Sequence, residues 1–315
     1  MAVQTTVNGK SSRLVRVKPD NLEPISSVQP FIHAPGWAPQ VTINREQKQA
    51  LVVLVPPQSR HGSTAYLYHL DLVTGQRRKL AEQLEPRQKA MFTTHGPLYV
   101  TIDGTQRVVH LGKRQLLRQT AAMWWPLHQQ NGNIFALVYA DRSMKLMRVD
   151  LSTAKSTIIR DWKSNPVRDF HFRESKVVYQ RQSSPERFSV EVLDLISKQN
   201  KIVFESKRPW LTPMFVDRGI MYAQTESAVA GSLKIIGNNF EMNRATSKDD
   251  LREGPQLGDG APIPVSEAGG FVVFRRQGRR HQTYLLWDQK TDQIATLPVD
   301  DNHLLESIQI DGGDI

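Results

Sequence analysis

The 315-residue chain contains no cysteine, which excludes disulfides, thiolate nucleophiles and the commonest structural zinc ligand. Other signatures of chemistry are missing too. There is no GxSxG serine elbow, no GxxxxGK[ST] phosphate loop and no GxGxxG dinucleotide fingerprint. The nine histidines stand singly, with no HxH or HExxH, and each is read as structural or solvated. His171, between Phe170 and Phe172, reads as a strand residue pointing away from both. Asp259 and the Asp311–Asp314 stretch are too sparse for a calcium loop, so no metal and no cofactor is expected. Long apolar runs are lacking as well: no segment approaches a membrane span. The first residues, MAVQTTVNGKSSRLVRVK, hold no apolar run of signal-peptide length, so a cytoplasmic location is the expectation.

What the chain does have is a basic balance and a repeat. Forty-one Lys and Arg against 31 Asp and Glu give a net charge of +10, which points to an anionic partner. Four segments are alike: Tyr66–Leu80 (YLYHLDLVTGQRRKL), Met144–Ile159 (MKLMRVDLSTAKSTII), Phe188–Phe204 (FSVEVLDLISKQNKIVF) and Tyr284–Leu297 (YLLWDQKTDQIATL). Each has an alternating apolar strand, an Asp, a short polar turn and a second strand, the pattern of a β-hairpin with a turn-favouring Asp at its corner. Weaker copies turn at Gly112 and Gly237, and another at Lys18. The corners recur about every 45 residues, the period of a four-stranded propeller blade. An apolar run precedes each hairpin, as at Ala50–Val55 or Ile134–Tyr139, and a turn and a further strand precede that run. The order is strand a, turn, strand b, loop, strand c, turn, strand d.

Leu305–Ile310 reads as a strand a and Val3–Val7 as a strand b, so the two ends of the chain are expected to pair. The expectation is one all-β domain over residues 1–315, a seven-bladed β-propeller of four-stranded blades with its ring closed by the N- and C-terminal strands. This pattern resembles the TolB/WD40-type β-propeller superfamily. The Asp-then-turn corner is closer to the TolB-like style, because the Trp-Asp mark of WD40 repeats occurs only at Trp287-Asp288.

In such a blade the b–c and d–a loops emerge on one face. The predicted b–c loops carry Lys10, Arg13, Arg60, His61, Arg107, Arg142, Arg181, Arg187, Arg275, Arg276, Arg279, Arg280 and His281. Trp37, Trp124, Trp125, Trp162 and Trp210 fall in d–a loops or at the start of strand a, with roughly half of these rings expected in the core between blades. Arginine with exposed aromatic rings is the composition of a binding hot spot. The expected partner site is therefore Arg60, His61, Arg107, Arg142, Arg181, Arg187, Arg275, Arg276, Arg279, Arg280, Trp37, Trp124, Trp125, Trp162 and Trp210. Residues 244–262 (RATSKDDLREGPQLGDGAP) read as an unusually long d–a loop over that face.

Propeller hydrolases place carboxylates on strand a. The segments here, VTI, MFTT, WPLH, FHF, MFV, IPV and IQI, are apolar, without the carboxylate pair that glycoside hydrolysis needs. The leading expectation is a non-catalytic scaffold in a larger intracellular assembly, binding other protein subunits with an acidic surface. Nucleic-acid binding by basic loops and stacking rings is the second reading. A hydrolase or lyase with an unrecognised site is the third.

Overall fold

Ala50–Leu54 is apolar at consecutive positions because both faces of its strand are covered. Ala50, Val52 and Leu54 join a buried cluster with Val3, Leu14, Phe31 and Val41. Leu51 and Val53 point the other way, into a cluster with Ala65, Leu67, Leu84 and Tyr99. A sheet buried on both sides has no need of polar alternation in its central strands. The structure is a computed structural model that describes residues 1–6, 9–18, 20–59, 64–209, 211–227, 230–237, 251–258, 260–277, 282–300 and 302–309. None of these is helical, every strand pairing is antiparallel, and no described helix is long and apolar enough to cross a membrane.

The chain forms two compact units, one of Met1–Lys18, Leu22–Asp161 and Val299–Gln309, the other built on Trp162–Pro298. The first unit holds β1 (Ala2–Thr6), β2 (Ser11–Val17), β3 (Leu22–Pro24), β4 (Phe31–Ile32), β5 (Gln40–Asn44), β6 (Gln49–Leu54), β7 (Ala65–Asp71), β8 (Arg77–Leu84), β9 (Met91–Thr93), β10 (Gly96–Asp103), β11 (Gln106–Leu111), β12 (Arg114–Thr120), β13 (Met123–Gln130), β14 (Asn133–Ala140), β15 (Ser143–Asp150) and β16 (Ser156–Asp161). The second holds β17 (Val167–Arg173), β18 (Lys176–Ser184), β19 (Arg187–Asp194), β20 (Asn200–Ser206), β21 (Met214–Val216), β22 (Gly219–Ser227), β23 (Ala230–Gly237), β24 (Leu251–Glu253), β25 (Ala261–Ala268), β26 (Phe271–Gln277), β27 (Gln282–Asp288) and β28 (Ile294–Thr296). The last strand, β29 (His303–Glu306), returns to the first unit and pairs with β1, Val3 opposite Glu306 and Thr6 opposite His303.

The strands form meanders in the order a, b, c, d. β13 to β16, β17 to β20, β21 to β24 and β25 to β28 are each a four-stranded sheet, and β29-β1-β2-β3 is another with β4 added to β2. Besides the added β4, the expectation of separate four-stranded sheets throughout meets one exception. β5 to β8 and β9 to β12 form a single eight-stranded sheet, so the described strands make six sheets. The cause is β9, whose three residues cover only Gly96–Leu98 of β10; further along, Thr101 takes Leu84 of β8 as its partner. The last strand also lies earlier than the sequence suggests, at His303–Glu306 instead of Leu305–Ile310.

The Asp corners are built alike. Oδ1 of Asp71 accepts the N–H groups of Val73 (2.9 Å) and Thr74 (2.8 Å), and Oδ1 of Asp150 those of Ser152 (2.9 Å) and Thr153 (2.8 Å). Asp194 does the same with Ile196 and Ser197, and Asp288 with Lys290 and Thr291. The next residue then turns inward. The N–H groups of Leu72, Leu151, Leu195 and Gln289 donate to the a–b turn carbonyls of Lys48, Gly132, Ser175 and Gly270. Four residues past each Asp the chain takes a left-handed φ, at Gly75 (73°), Ala154 (59°), Lys198 (59°) and Asp292 (60°). At Gly75 even a methyl group is excluded, because its Cβ would lie 1.8 Å from the Ser27 carbonyl oxygen. The donated N–H groups hold the Asp71 and Asp288 carboxyls below the usual range, and the Ser152 hydroxyl with its neighbours holds Asp150 lower still. Burial works to raise Asp194, and the Ser197 and Ile196 bonds outweigh it.

The long insertion is placed differently from the expectation. Leu251–Glu253 is strand d of its meander, pairing Leu251 with Ile236 and Glu253 with Lys234. Residues 238–250, outside the described residues, therefore connect strands c and d. The d–a stretch is the short segment 254–260, and Pro262 already belongs to β25.

Candidate functional site at the b–c and d–a loops of the first unit

The β14–β15 hairpin closes with a two-residue loop, since Ala140 pairs with Ser143. Asp141 and Arg142 both have positive φ, 53° and 58°, as a type I′ turn demands. Glycine and asparagine take these angles cheaply, whereas other residues pay about 1–2 kcal/mol. Arg142 is exposed and has no ion-pair or hydrogen-bond partner among the described residues. Beside it the β10–β11 hairpin turns at Gly104 (φ 58°) and Thr105. The two turns and the β12–β13 connection border an open cavity of about 460 Å³, lined by Thr105, Arg107, Thr120, Ala122, Tyr139 and Arg142 among others. The b–c and d–a loops thus share one end of these meanders.

Arg107 is 9% exposed and forms part of the wall. One terminal nitrogen donates to the Ala122 carbonyl. Its Nε has no hydrogen-bond partner and lies 4.0 Å from Oε2 of Glu85. Burial raises the Glu85 pKa, opposed by the Arg107 charge and by the indole N–H of Trp125, which donates to Oε2 at 3.2 Å. The Trp125 ring is 36% exposed. Trp37 is half-buried, with the Arg87 guanidinium 4.8 Å above its ring.

Several expected contact residues belong elsewhere. Trp124 is fully buried between the β10–β12 and β13–β15 strands, because alternation along β13 sends it inward and Trp125 outward. Trp162 is 3% exposed and packs on Phe170 and Tyr179, its indole N–H 3.2 Å from the Tyr179 hydroxyl. Neither ring presents a surface. Arg181 is tied to Oε1 of the buried Glu191 at 3.2 Å, and Glu191 also accepts from Tyr179, Ser189 and Asn200. Arg187 is exposed but engages Glu205 through Nε (3.0 Å) and Nη2 (2.8 Å). Arg276 lies against Gly258 and Gly260, bonded to the Leu257 carbonyl. Arg275 is half-buried, and its Nε has no hydrogen-bond partner. Arg60, His61, Arg279, Arg280 and Trp210 lie outside the described residues.

Strand a is also less apolar than expected, because its strands run longer than the segments the sequence singles out. β17 carries Arg168, Asp169, His171 and Arg173, and β25 carries Glu267. Arg173 reaches Glu267 (3.1 Å), Asp217 (3.8 Å) and the Val216 carbonyl (2.8 Å). Nδ1 of His171 accepts the Phe215 N–H at 3.3 Å, so the ring proton sits on Nε2, 3.9 Å from Glu267. Burial raises Glu267, and Arg173 opposes it. Asp169 sits in a β-bulge at φ 56° with a buried Oδ2 that accepts no hydrogen bond, and burial raises its pKa. No group of three metal-ligating side chains occurs among the described residues. A bulge and a strand end are poorly legible in sequence, which is why these residues were missed.

No family model matches the chain, and no curated protein matches it by sequence. Solved structures do. A prolyl endopeptidase aligns over 95% of this chain at 11% identity with a TM-score of 0.60, and the chain spans 51% of that protein's length. TolB from Acinetobacter baumannii aligns over 97% of this chain and 64% of its own, at 10% identity and a TM-score of 0.53. The Cps50 (Swd1) β-propeller domain of Myceliophteria thermophila aligns over 84% of this chain and 87% of its own, at 11% identity and a TM-score of 0.51. At such identities the likeness is one of fold, and it agrees with the repeated Asp corners: the chain is an all-β protein with the β-propeller fold, similar to TolB and to a WD40-type propeller domain.

Proposed function

We propose that this chain is a non-catalytic protein-interaction scaffold that binds an anionic partner surface through the loop end of its first unit. The observation that carries the reading is the cavity between the β10–β11 and β14–β15 turns, with the unpaired Arg142 on its rim. The exposed Trp125 ring is linked through Glu85 to Arg107 in the cavity wall. An exposed aromatic ring and an uncompensated arginine at the same loop end suit a protein contact. In this reading each four-strand meander is one blade, giving seven, with β29 and β1 pairing as the seam, and the scaffold works in the cytoplasm within a larger assembly.

The strand-a carboxylates have structural roles in this reading. Glu267 is held by Arg173, and the free lone pair of His171 is already used by the Phe215 N–H. Nucleic-acid binding is less well supported, because several loop-end arginines are already paired with carboxylates: Arg118 with Asp103 and Arg107 with Glu85 in the first unit, Arg181 with Glu191 and Arg187 with Glu205 in the second. Affinity purification from the native cell tests the scaffold role. Partners recovered with the wild-type chain should be lost with a Trp125→Ala, Arg142→Glu double variant of unchanged thermal stability. An unchanged partner set would reject the reading, as would turnover in a broad substrate screen.

A further inference from the structure

We propose that the cavity between the Gly104–Thr105 and Asp141–Arg142 turns receives the carboxylate side chain of an acidic peptide segment, anchored by Arg142. The inference rests on the scaffold reading and narrows it to one pocket and one chemistry. The charges around the cavity single out Arg142. Arg107 is offset by Glu85 at 4.0 Å, and Asp141 by Lys145 at 3.6 Å. Among the described lining residues Arg142 is left as the one uncompensated charge, and it is positive. It also occupies a left-handed position of a type I′ turn, where glycine would serve the fold better. Lys48 and Lys198 are exposed cations at left-handed φ too, but of the three only Arg142 lines the cavity.

The rest of the wall suits a side chain that ends in a carboxylate. Arg107 is immobilised on the Ala122 carbonyl with its buried Nε 4.0 Å from Glu85, so it shapes the wall and leaves the anchoring charge to Arg142. Ala121, Ala140 and the Tyr139 ring, 37% exposed, offer apolar surface for the methylene groups that lead to it. A volume of about 460 Å³ admits one or two side chains. One free cation does not match a nucleic-acid backbone, whose affinity depends on several phosphate contacts at once.

The test is fluorescence anisotropy with a fluorescein-labelled Gly-Ala-Glu-Glu-Ala-Gly peptide, its Gln-for-Glu counterpart and a labelled oligothymidine, alongside thermal melts. Wild type should bind the Glu peptide and not the Gln peptide. Arg142→Gly should weaken binding roughly tenfold or more while raising the melting temperature, Arg142→Lys should recover part of the loss, and Arg187→Ala should change neither. A merely structural arginine would not give opposite signs in affinity and stability. The assignment is overturned if wild type does not bind the Glu peptide at low salt, if the Gln peptide binds equally well, if only the oligothymidine binds, or if Arg142→Gly keeps its affinity within about twofold. If Arg142→Gly keeps its peptide affinity but the combined Trp125→Ala, Arg142→Glu variant loses the native partners, the pocket is wrong and the scaffold reading survives. If native partners are also recovered by that combined variant, both fall.

Discussion

Strand β15 begins beside the Asp141–Arg142 turn and ends at Asp150, and its two ends treat the backbone in opposite ways. At Asp150 the carboxylate gathers the N–H groups and hydroxyls of Ser152 and Thr153, and the neighbouring Leu151 N–H is bonded to Gly132. At Arg142 the chain takes two left-handed residues, and the side chain is left with no partner among the described residues. One end is closed by its own hydrogen bonds and recurs with little change at Asp71, Asp194 and Asp288. The other varies from hairpin to hairpin, and at Arg142 it keeps a cation in reserve. The difference separates residues that maintain the repeat from residues available to a partner.

The largest expected effect tests this separation at two adjacent residues. Trp124→Ala should cost about 3–5 kcal/mol in urea unfolding, because it empties a closed core. Trp125→Ala should cost less than about 1 kcal/mol yet reduce partner recovery. Equal destabilisation by the two would break the comparison. Next comes Gly75→Ala at a closed corner. A Cβ there meets the Ser27 carbonyl in a left-handed conformation, so a loss of about 3 kcal/mol is expected, and a neutral result would show that the corner yields. A smaller pair sharpens the contrast. Ala154→Gly and Arg142→Gly each relieve a positive φ and should each stabilise by roughly 0.5–1 kcal/mol, but only Arg142→Gly should weaken binding.

The smallest effect concerns acid. The corner carboxyls are depressed in the folded chain, so their contribution is complete above the unfolded aspartate value of about 3.9 and is lost as pH falls through the folded values. Replacing Asp71, Asp150, Asp194 and Asp288 together by Asn keeps an oxygen that accepts the same N–H groups. The acid-unfolding midpoint should then move to lower pH, and an unmoved midpoint would mean that the carboxylates do not govern it.

The Asp corners were legible because each is a local device: the Asp, the two N–H groups it binds and the left-handed residue all lie within five positions. The pairing of the chain ends was legible because an unpaired strand b and an unpaired strand a remained at the termini. Strand β24 was not legible, since Leu251, Arg252 and Glu253 are all exposed and have no apolar alternation. With it went the placement of the long insertion. Trp124 and Trp125 could not be told apart without the starting residue of β13, because a shift of one position exchanges inside for outside.

By itself, then, the amino-acid order determined the repeat, its antiparallel hairpins and the basic character of the chain, all of which depend on neighbours within a few residues. Only the tertiary structure decided which cations remain free. Arg181 and Arg187 are compensated by Glu191 and Glu205, ten and 18 residues away in sequence, and Arg107 by Glu85, whereas Arg142 finds no such carboxylate among the described residues. An arginine's availability depends on what the fold brings within about 4 Å of it, and that distance is not written in the order of residues.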